Sequence, residues 1–400
     1  MAIKKIVVLD TGKEWGGGTN SLIELLKRVD KRLFSFTAVF YANYKHGANS
    51  DIKTELEKLG VKFICLARPK ATKPAKAKKE LMRAILSLSP GLKKKFLFNQ
   101  DFKERIMPLS KLIAETLDAE KAALLYMNNQ PSSNLEGFFA AKAAGVACVQ
   151  HARVEITPTP FEAKTVNENA AKVICVSNGV LESLVKGGVS RALCTVVHNG
   201  IDPSLKPLRD AIDIRKKYSI PDDAFLIGTA GSLIKRKRVG LLLEAMSGLK
   251  KDTGAYCLIA GEGPEEGNLK KMAVSLGLAK RVIFTGFSTD AISLINAMDV
   301  FVLASETEGL PRVILEAMLM SKPCVAFGIT GPTELITNNV TGMVLERQNS
   351  GALLAALIKL KQNPAIGKQM GTSARARVTL EFSIDKYVEG VTKVLCGATS

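Results

Sequence analysis

Seven cysteines are scattered along the chain with no CxxC pair, and most lie in apolar runs. That pattern excludes a zinc ribbon and a disulfide framework and predicts reduced core thiols in a cytosolic protein. No apolar run approaches the length of a membrane span, and residues 1–10 carry too short an apolar core for a signal peptide. They read as a first buried strand instead. The glycine-rich stretch 11–20 lacks the G-K-[ST] ending of a P-loop, and no clean GxGxxG follows a strand, so nucleotide hydrolysis and nicotinamide chemistry lose their usual signatures. There are three histidines and one tryptophan, and neither a metal-ligand cluster nor a DxD-type carboxylate pair is visible. No bound cofactor and no metal are expected.

What is abundant is apolar residues and positive charge. With 46% hydrophobic content, 400 residues suffice for two ordinary cores. The net charge of +18 is concentrated early: residues 1–200 hold 31 Lys and Arg against 18 Asp and Glu. Much of the excess falls in residues 68–105, including Lys70, Lys73, Lys76, Lys78, Lys79, Arg83 and the triplet Lys93-Lys94-Lys95. Leu81, Met82, Ile85, Leu86, Phe96, Leu97, Phe98 and Phe102 are interleaved with them, a mixture that suits an interfacial amphipathic helix on an anionic membrane. A solvated charged insertion is the plainer reading. No nucleic-acid motif accompanies the charge, and no nucleic-acid partner is expected.

Strand-like apolar runs alternate with helical patterns almost throughout, which predicts α/β architecture with doubly wound parallel sheets. Strands are expected at 5–9, 36–41, 62–66, 122–126, 147–150, 172–176 and 194–197, then at 225–230, 256–260, 282–285, 300–303, 323–326 and 343–345. Between 203 and 223 three prolines bracket a charged segment, and the domain boundary is placed there. The divisions are 1–203, 204–376, and a tail at 377–400 whose apolar spacing predicts a helix with one face to bury.

The most informative run is Ser305-Glu306-Thr307-Glu308-Gly309-Leu310-Pro311-Arg312-Val313-Ile314-Leu315-Glu316-Ala317-Met318. It follows the buried strand 300–303 and sets Glu308 on a loop, with Glu316 eight positions later inside the next helix. The N–H groups from Gly309 to Val313 lack helical partners and face an anion-binding position. A loop carboxylate there accepts hydrogen bonds from sugar hydroxyls while the amides hold a phosphate.

This pattern resembles the E-x7-E motif of the family-4 glycosyltransferases, retaining enzymes of the GT-B fold. Val197-His198-Asn199-Gly200-Ile201-Asp202, Gly231-Ser232-Leu233-Ile234-Lys235-Arg236-Lys237, Ile259-Ala260-Gly261-Glu262-Gly263-Pro264, Val282-Ile283-Phe284-Thr285-Gly286 and Gly331-Pro332-Thr333-Glu334-Leu335 agree in order and spacing. The likeness is strong over 195–345 and loose before it. It implies two Rossmann-like domains facing across a cleft, and a last helix crossing back onto the first domain. It implies a nucleoside-diphosphate-sugar donor as substrate, held mainly by the second domain. By the same resemblance Glu316 takes the ribose hydroxyls and Glu308 the hexose hydroxyls. Gly309, Leu310, Pro311 and Val313 meet the phosphates, and Lys237 neutralises the leaving diphosphate. Where the family usually has an arginine the chain has Ser232, and Arg236 beside Lys237 is the available replacement. Gly261 and Gly263 wall the nucleotide, and the base lies near Arg281 and Val282. Gly17 and Gly18 supply backbone contacts across the cleft. His151 stands where the family often has a histidine near the transferred sugar, whereas His198 reads as structural. Trp15 suits a sugar-stacking ring as well as it suits packing.

The expected reaction is metal-independent hexosyl transfer to a glycan or lipid-linked acceptor, in the synthesis of lipopolysaccharide or another cell-surface polysaccharide. A cytoplasmic protein with peripheral attachment to the inner face of the membrane is implied. Two rivals remain: a nucleotide-sugar epimerase of the same fold, which requires a further acid–base set, and a non-enzymatic polyanion-binding protein.

Overall fold

The computed structural model describes residues 3–12, 15–46, 50–67, 80, 89–249 and 254–399. The basic stretch from Arg68 to Leu88, Glu80 apart, lies outside them, as do Lys13 and Glu14. The first sheet contains β1 (Lys4–Asp10), β2 (Phe34–Phe40), β3 (Lys62–Cys65), β4 (Leu124–Asn128), β5 (Ala147–Ala152), β6 (Lys172–Cys175) and β7 (Cys194–Val196). The second contains β8 (Phe225–Ala230), β9 (Ala255–Ala260), β10 (Val282–Gly286), β11 (Val300–Leu303), β12 (Cys324–Phe327) and β13 (Gly342–Leu345). Every pairing within these two sheets is parallel. Helices cover both faces, so strands such as Val300-Phe301-Val302-Leu303 are buried on each side and carry no polar alternation. All thirteen expected strands are present. A short antiparallel ladder, Lys45–His46 with Ser50–Asp51, was not expected.

Strand order is β3-β2-β1-β4-β5-β6-β7 in the first sheet and β10-β9-β8-β11-β12-β13 in the second. Chain direction along each sheet therefore reverses between the first and fourth strands, which opens a crevice at their carboxyl ends. In the first sheet this crevice lies between β1 and β4; in the second, between β8 and β11.

The chain leaves the first sheet at β7, crosses once, and returns after the long helix Pro364–Glu381. The two crossings are tied together: Ile201 N–H donates to the Phe382 carbonyl at 2.9 Å, and Ile384 N–H to the Ile201 carbonyl at 2.8 Å. A Cβ on Gly200 would stand 2.5 Å from the Ser383 carbonyl oxygen, so only glycine fits this crossing. The last helix, Ile384–Ala398, is capped by Ser383 and buries Ile384, Tyr387, Val391 and Leu395 against Ile6, Phe34 and Val149 of the first domain. Burying each large apolar side chain contributes about 1.5–3 kcal/mol.

Near the basic stretch, the helix Pro90–Asp101 runs through a π-helical turn, Phe102–Ile106, into Met107–Ala119. Phe98, Phe102, Phe139 and Phe161 form a ring cluster there with centroids 5.0–6.5 Å apart. Lys94 and Lys95 on the same surface are exposed. The apolar positions 81–88 of the expected interfacial helix fall outside the described residues. No helix among the described residues is long and apolar enough to cross a membrane.

Candidate functional site

At the crevice of the second sheet, the turn after β8 carries Arg236 and Lys237, and the loop after β11 carries Glu308. Lys237 Nζ lies 2.6 Å from Glu308 Oε1, and Arg236 Nη1 lies 3.4 Å from Glu308 Oε2. Arg236 also donates to the Thr307 carbonyl, and its own carbonyl accepts from Glu306 N–H at 2.9 Å. Glu308 is only 7% exposed. Burial alone raises its carboxyl, but the Lys237 and Arg236 cations and the Lys237 hydrogen bond outweigh it, holding the group below its usual range. Gly231, Ser232 and Lys237 line one small cavity with Thr229 and Leu303.

The adjoining wall is built by close backbone approach. Gly261 and Gly263 adopt φ of +137° and +158°. A Cβ on Gly261 would stand 2.0 Å from the Gly231 carbonyl oxygen, and one on Gly263 2.5 Å from that of Leu233. The two loops are laced by Leu233 N–H donating to the Glu262 carbonyl at 2.8 Å. Val282 is not brought to this wall. It opens β10, so it sits at the amino end of a strand whose carboxyl end faces the crevice, and its side chain packs in the second-domain core. Four residues of strand set the two ends about 13 Å apart. Gly286, at the other end, is the residue that accepts from Gly261 N–H at 2.9 Å, with the half-exposed Phe287 beside it.

Past Glu308 the chain turns into the helix Arg312–Leu319, with Pro311 as its N-cap. Ile314 N–H is bonded to the Pro311 carbonyl, which leaves the amides before it available. Val313 packs on the core. Glu316 keeps 18% of its side chain exposed, and burial raises its carboxyl despite Arg312 nearby.

This loop presses on the first domain. A Cβ on Gly309 would stand 2.0 Å from the Arg153 carbonyl oxygen. Asn199 Nδ2 donates to the Leu310 carbonyl at 2.9 Å. Asn199 Oδ1 in turn accepts from Arg153 Nη1 at 2.9 Å and from Ser21 Oγ at 3.2 Å. Arg153 continues the network to Asn128 Oδ1 and to the Tyr387 hydroxyl. Asp10 accepts from Gly12 N–H, Asn128 and Asn129, each at 2.8 Å, and so pins the loop after β1 to the end of β4.

Gly17 and Gly18 are not in an open loop. The helix Gly17–Arg28 starts at them, inside the glycine-rich stretch 11–20, with Gly16 as N-cap. Asn20 N–H makes the first bond, to the Gly16 carbonyl, so Gly17 and Gly18 belong to a first turn whose amides precede it. Trp15 donates Nε1–H to Asn20 Oδ1 and packs partly against the first-domain core.

His151 does not join the group around Glu308. It lies inside β5, fully buried, and shares a hydrogen bond between Nδ1 and the Tyr126 hydroxyl. Its Nε2 has no partner among the described residues. Burial, and then the Arg153 charge, push its pKa well below the usual range, so the ring is neutral. Arg153, two residues on, is the side chain that reaches Gly18 and Asn199. His198 instead pairs through Nε2 with Glu334 Oε2 at 3.0 Å. Glu334 also accepts from the N–H groups of Asn178 and Gly179, at 3.0 Å each, at the start of the helix Asn178–Lys186. Despite partial burial those bonds hold its carboxyl at about 2.

Sequence reasoning missed Arg153, Asn199 and Arg312. Their one signal was polarity next to a strand end or a matched motif, and their partners lie far off in sequence, across the domains for the Asn199–Leu310 and Arg312–Gly200 bonds.

Comparison with known proteins bears on the family and the fold. The model for glycosyl transferases group 1 matches residues 210–377, and that for glycosyltransferase family 4 matches residues 50–205. A lipopolysaccharide core biosynthesis glycosyltransferase, LpsD of Rhizobium meliloti, is 29% identical over 187 residues, 45% of this chain and 54% of that protein. The match thus spans about half of that relative's length. A UDP-Gal:alpha-D-GlcNAc-diphosphoundecaprenol alpha-1,3-galactosyltransferase of Escherichia coli is 25% identical over 293 residues, 69% of this chain and 75% of that one. Among solved structures, Anabaena Alr3699/HepE in complex with UDP and glucose superposes with a TM-score of 0.80 over 98% of this chain and 99% of that one, at 21% identity. With two family models matching its two halves in order, and both sheets in the GT-B arrangement, the chain belongs to the family-4 glycosyltransferases of the GT-B fold.

Proposed function

We propose that this protein transfers a sugar from a nucleoside-diphosphate sugar to a glycan or lipid-linked acceptor, with retention of configuration and through side-chain cations and backbone amides rather than a metal. The observation that carries the reading is the buried pairing of Glu308 with Lys237 at 2.6 Å, at the switch-point crevice of the second sheet. The pair keeps Glu308 ionised for the hexose hydroxyls and fixes Lys237 where a diphosphate departs. Glu316 accepts from the ribose, and the amides before Ile314 meet the phosphates.

In the reaction, the bond from the anomeric carbon to the diphosphate oxygen breaks while the acceptor oxygen bonds on the same face. The acceptor's proton passes to the leaving phosphate. Lys237 and the helix-start amides stabilise the charge that develops there. His151, neutral and sealed in β5, orients Tyr126 beside the Arg153 network rather than moving a proton. The contacts of Gly309 and Leu310 with the first domain exclude water from the reacting centre.

The E. coli relative acts on a lipid diphosphate, and the first domain here sets exposed Lys94 and Lys95 beside a cluster of phenylalanines. An acceptor held at an anionic membrane surface, in cell-surface glycan synthesis, fits that surface. Liposomes with and without anionic lipid test this part: absence of low-salt binding removes the membrane clause alone. For the donor, a thermal-shift panel of UDP, GDP and ADP should show one that stabilises the protein, with Lys237→Ala and Glu316→Ala weakening the shift. A panel in which none of the three stabilises the chain ends the proposal. Incubation with the nucleotide sugar alone distinguishes slow hydrolysis, as expected here, from epimerisation.

A further inference from the structure

Ser232 leaves the diphosphate clamp one cation short of the family pattern, and the structure commits Arg236 to the Thr307 carbonyl and to Glu308. A different arginine is placed to fill the gap. Arg312 opens the helix that carries Glu316, and its side chain is only 11% exposed. Nη1 donates to the Gly200 carbonyl at 3.1 Å. Nε is buried and has no hydrogen-bond partner among the described residues. The nearest paired carboxylate oxygen, Glu316 Oε1, is 4.0 Å from it, beyond hydrogen-bond range.

Leaving a buried charged donor unpaired is costly, so its persistence calls for an acceptor that the protein alone does not supply. The surroundings define that acceptor. Arg312 Cδ lies 4.0 Å from where a Gly17 Cβ would stand. The Arg312 side chain thus lies beside the first turn of the helix Gly17–Arg28, whose first amides precede its opening bond, and at the start of its own helix. Two helix starts and a cation converge on one spot, which suits an oxygen anion of more than one charge.

We propose that Arg312 is a donor-binding cation: its unpartnered Nε–H donates to an oxygen of the nucleoside diphosphate, supplying the charge absent at Ser232. This rests on the donor-site reading above and adds a residue that the sequence motif did not identify. The guanidinium bridges the domains, through Gly200 on one side and its own helix on the other.

Calorimetry on the full chain tests it, with UDP and uridine titrated into the unaltered protein, Arg312→Gln, Arg312→Lys and Lys237→Ala. Arg312→Gln should weaken UDP binding by about tenfold or more, the scale of a lost charge-assisted bond, and leave uridine within about threefold. Arg312→Lys, which keeps the charge, should lie between Gln and the unaltered protein. UDP affinity unchanged in Arg312→Gln while Lys237→Ala weakens it overturns this inference and leaves the donor site standing. Equal losses of UDP and uridine, or Lys no better than Gln, reduce Arg312 to a structural role and overturn it too. If the unaltered chain binds no nucleoside diphosphate, the donor-site reading fails and takes the inference with it.

Discussion

Glu308→Gln should separate the two tasks assigned to the Lys237 pair. In the unliganded protein Lys237 is held by Glu308 at 2.6 Å, so a diphosphate must share that cation with a buried carboxylate. Replacing the carboxylate by an isosteric amide removes the competing anion and leaves the loop backbone, fixed by Asn199 at Leu310, in place. A phosphate at about 6 Å from Glu308, at an effective dielectric of about 20, is repelled by about 3 kcal/mol per unit charge pair. Ordering of the freed lysine takes back part of that, leaving about 1–2 kcal/mol, or about five- to thirtyfold tighter binding of free nucleoside diphosphate. The intact sugar donor should behave oppositely. Its hexose hydroxyls lose an ionised acceptor, so turnover of the nucleotide sugar falls by about a hundredfold or more. Isothermal titration with UDP and steady-state transfer kinetics on the same preparation read both quantities. If Glu308→Gln weakens UDP binding, the carboxylate is required to position Lys237, and the division of roles is wrong.

Three further outcomes follow from other parts of the site. Glu316 has a raised carboxyl, so the free protein holds a proton there over part of the acidic range, whereas hydrogen bonds from ribose hydroxyls favour the ionised form. Donor affinity should therefore fall as pH drops through the raised value, and Glu316→Gln should flatten that slope in calorimetry across pH 5–8, about the range in which the assay is run. Glu334, held at about 2, contributes stability that is fully present above its usual 4.5 and is lost as pH falls towards 2. At neutral pH Glu334→Ala leaves the Asn178 and Gly179 amides uncapped and should cost about 1–2 kcal/mol in urea unfolding, with His198→Ala adding less than its single effect in that background. Gly309→Ala drives a methyl to 2.0 Å from the Arg153 carbonyl oxygen. Sugar transfer should drop more than tenfold while circular dichroism stays native, since the clash lies between domains; retained activity would show that the contact is absent in the working enzyme.

The strands were legible because a parallel strand buried on both faces is written as a short apolar run between turn residues; the nine inner strands follow that rule, and the four edge strands, largely half-buried, keep enough of the apolar run to be read. Glu308 and Glu316 were legible for a local reason: eight residues span one strand-to-helix turn, whatever surrounds it. Two misplacements have equally local causes. Glycine's poor helix propensity hid the helix start at Gly17, where the first turn is stabilised by what it packs on. A motif that covers a whole strand does not say which end faces the crevice, and Val282 is at the wrong one.

The remaining residues are of another kind. Arg153, Asn199 and Arg312 do their work between domains, and a sequence read segment by segment has no way to join positions 153, 199 and 310. Yet the joint explains the layout. Asn199 spends both ends of its amide, one on Arg153 and Ser21 of the first domain, the other on the Leu310 carbonyl of the donor loop. Any rotation that opens the cleft at this point must break the Leu310 bond or carry Arg153 with it, and Arg153 is anchored to Tyr387 of the returning helix. The last helix thus does more than bury an apolar face. Through one buried arginine and one asparagine, it holds the loop bearing Glu308 in register with the helix start at Gly17 on the opposite side of the cleft.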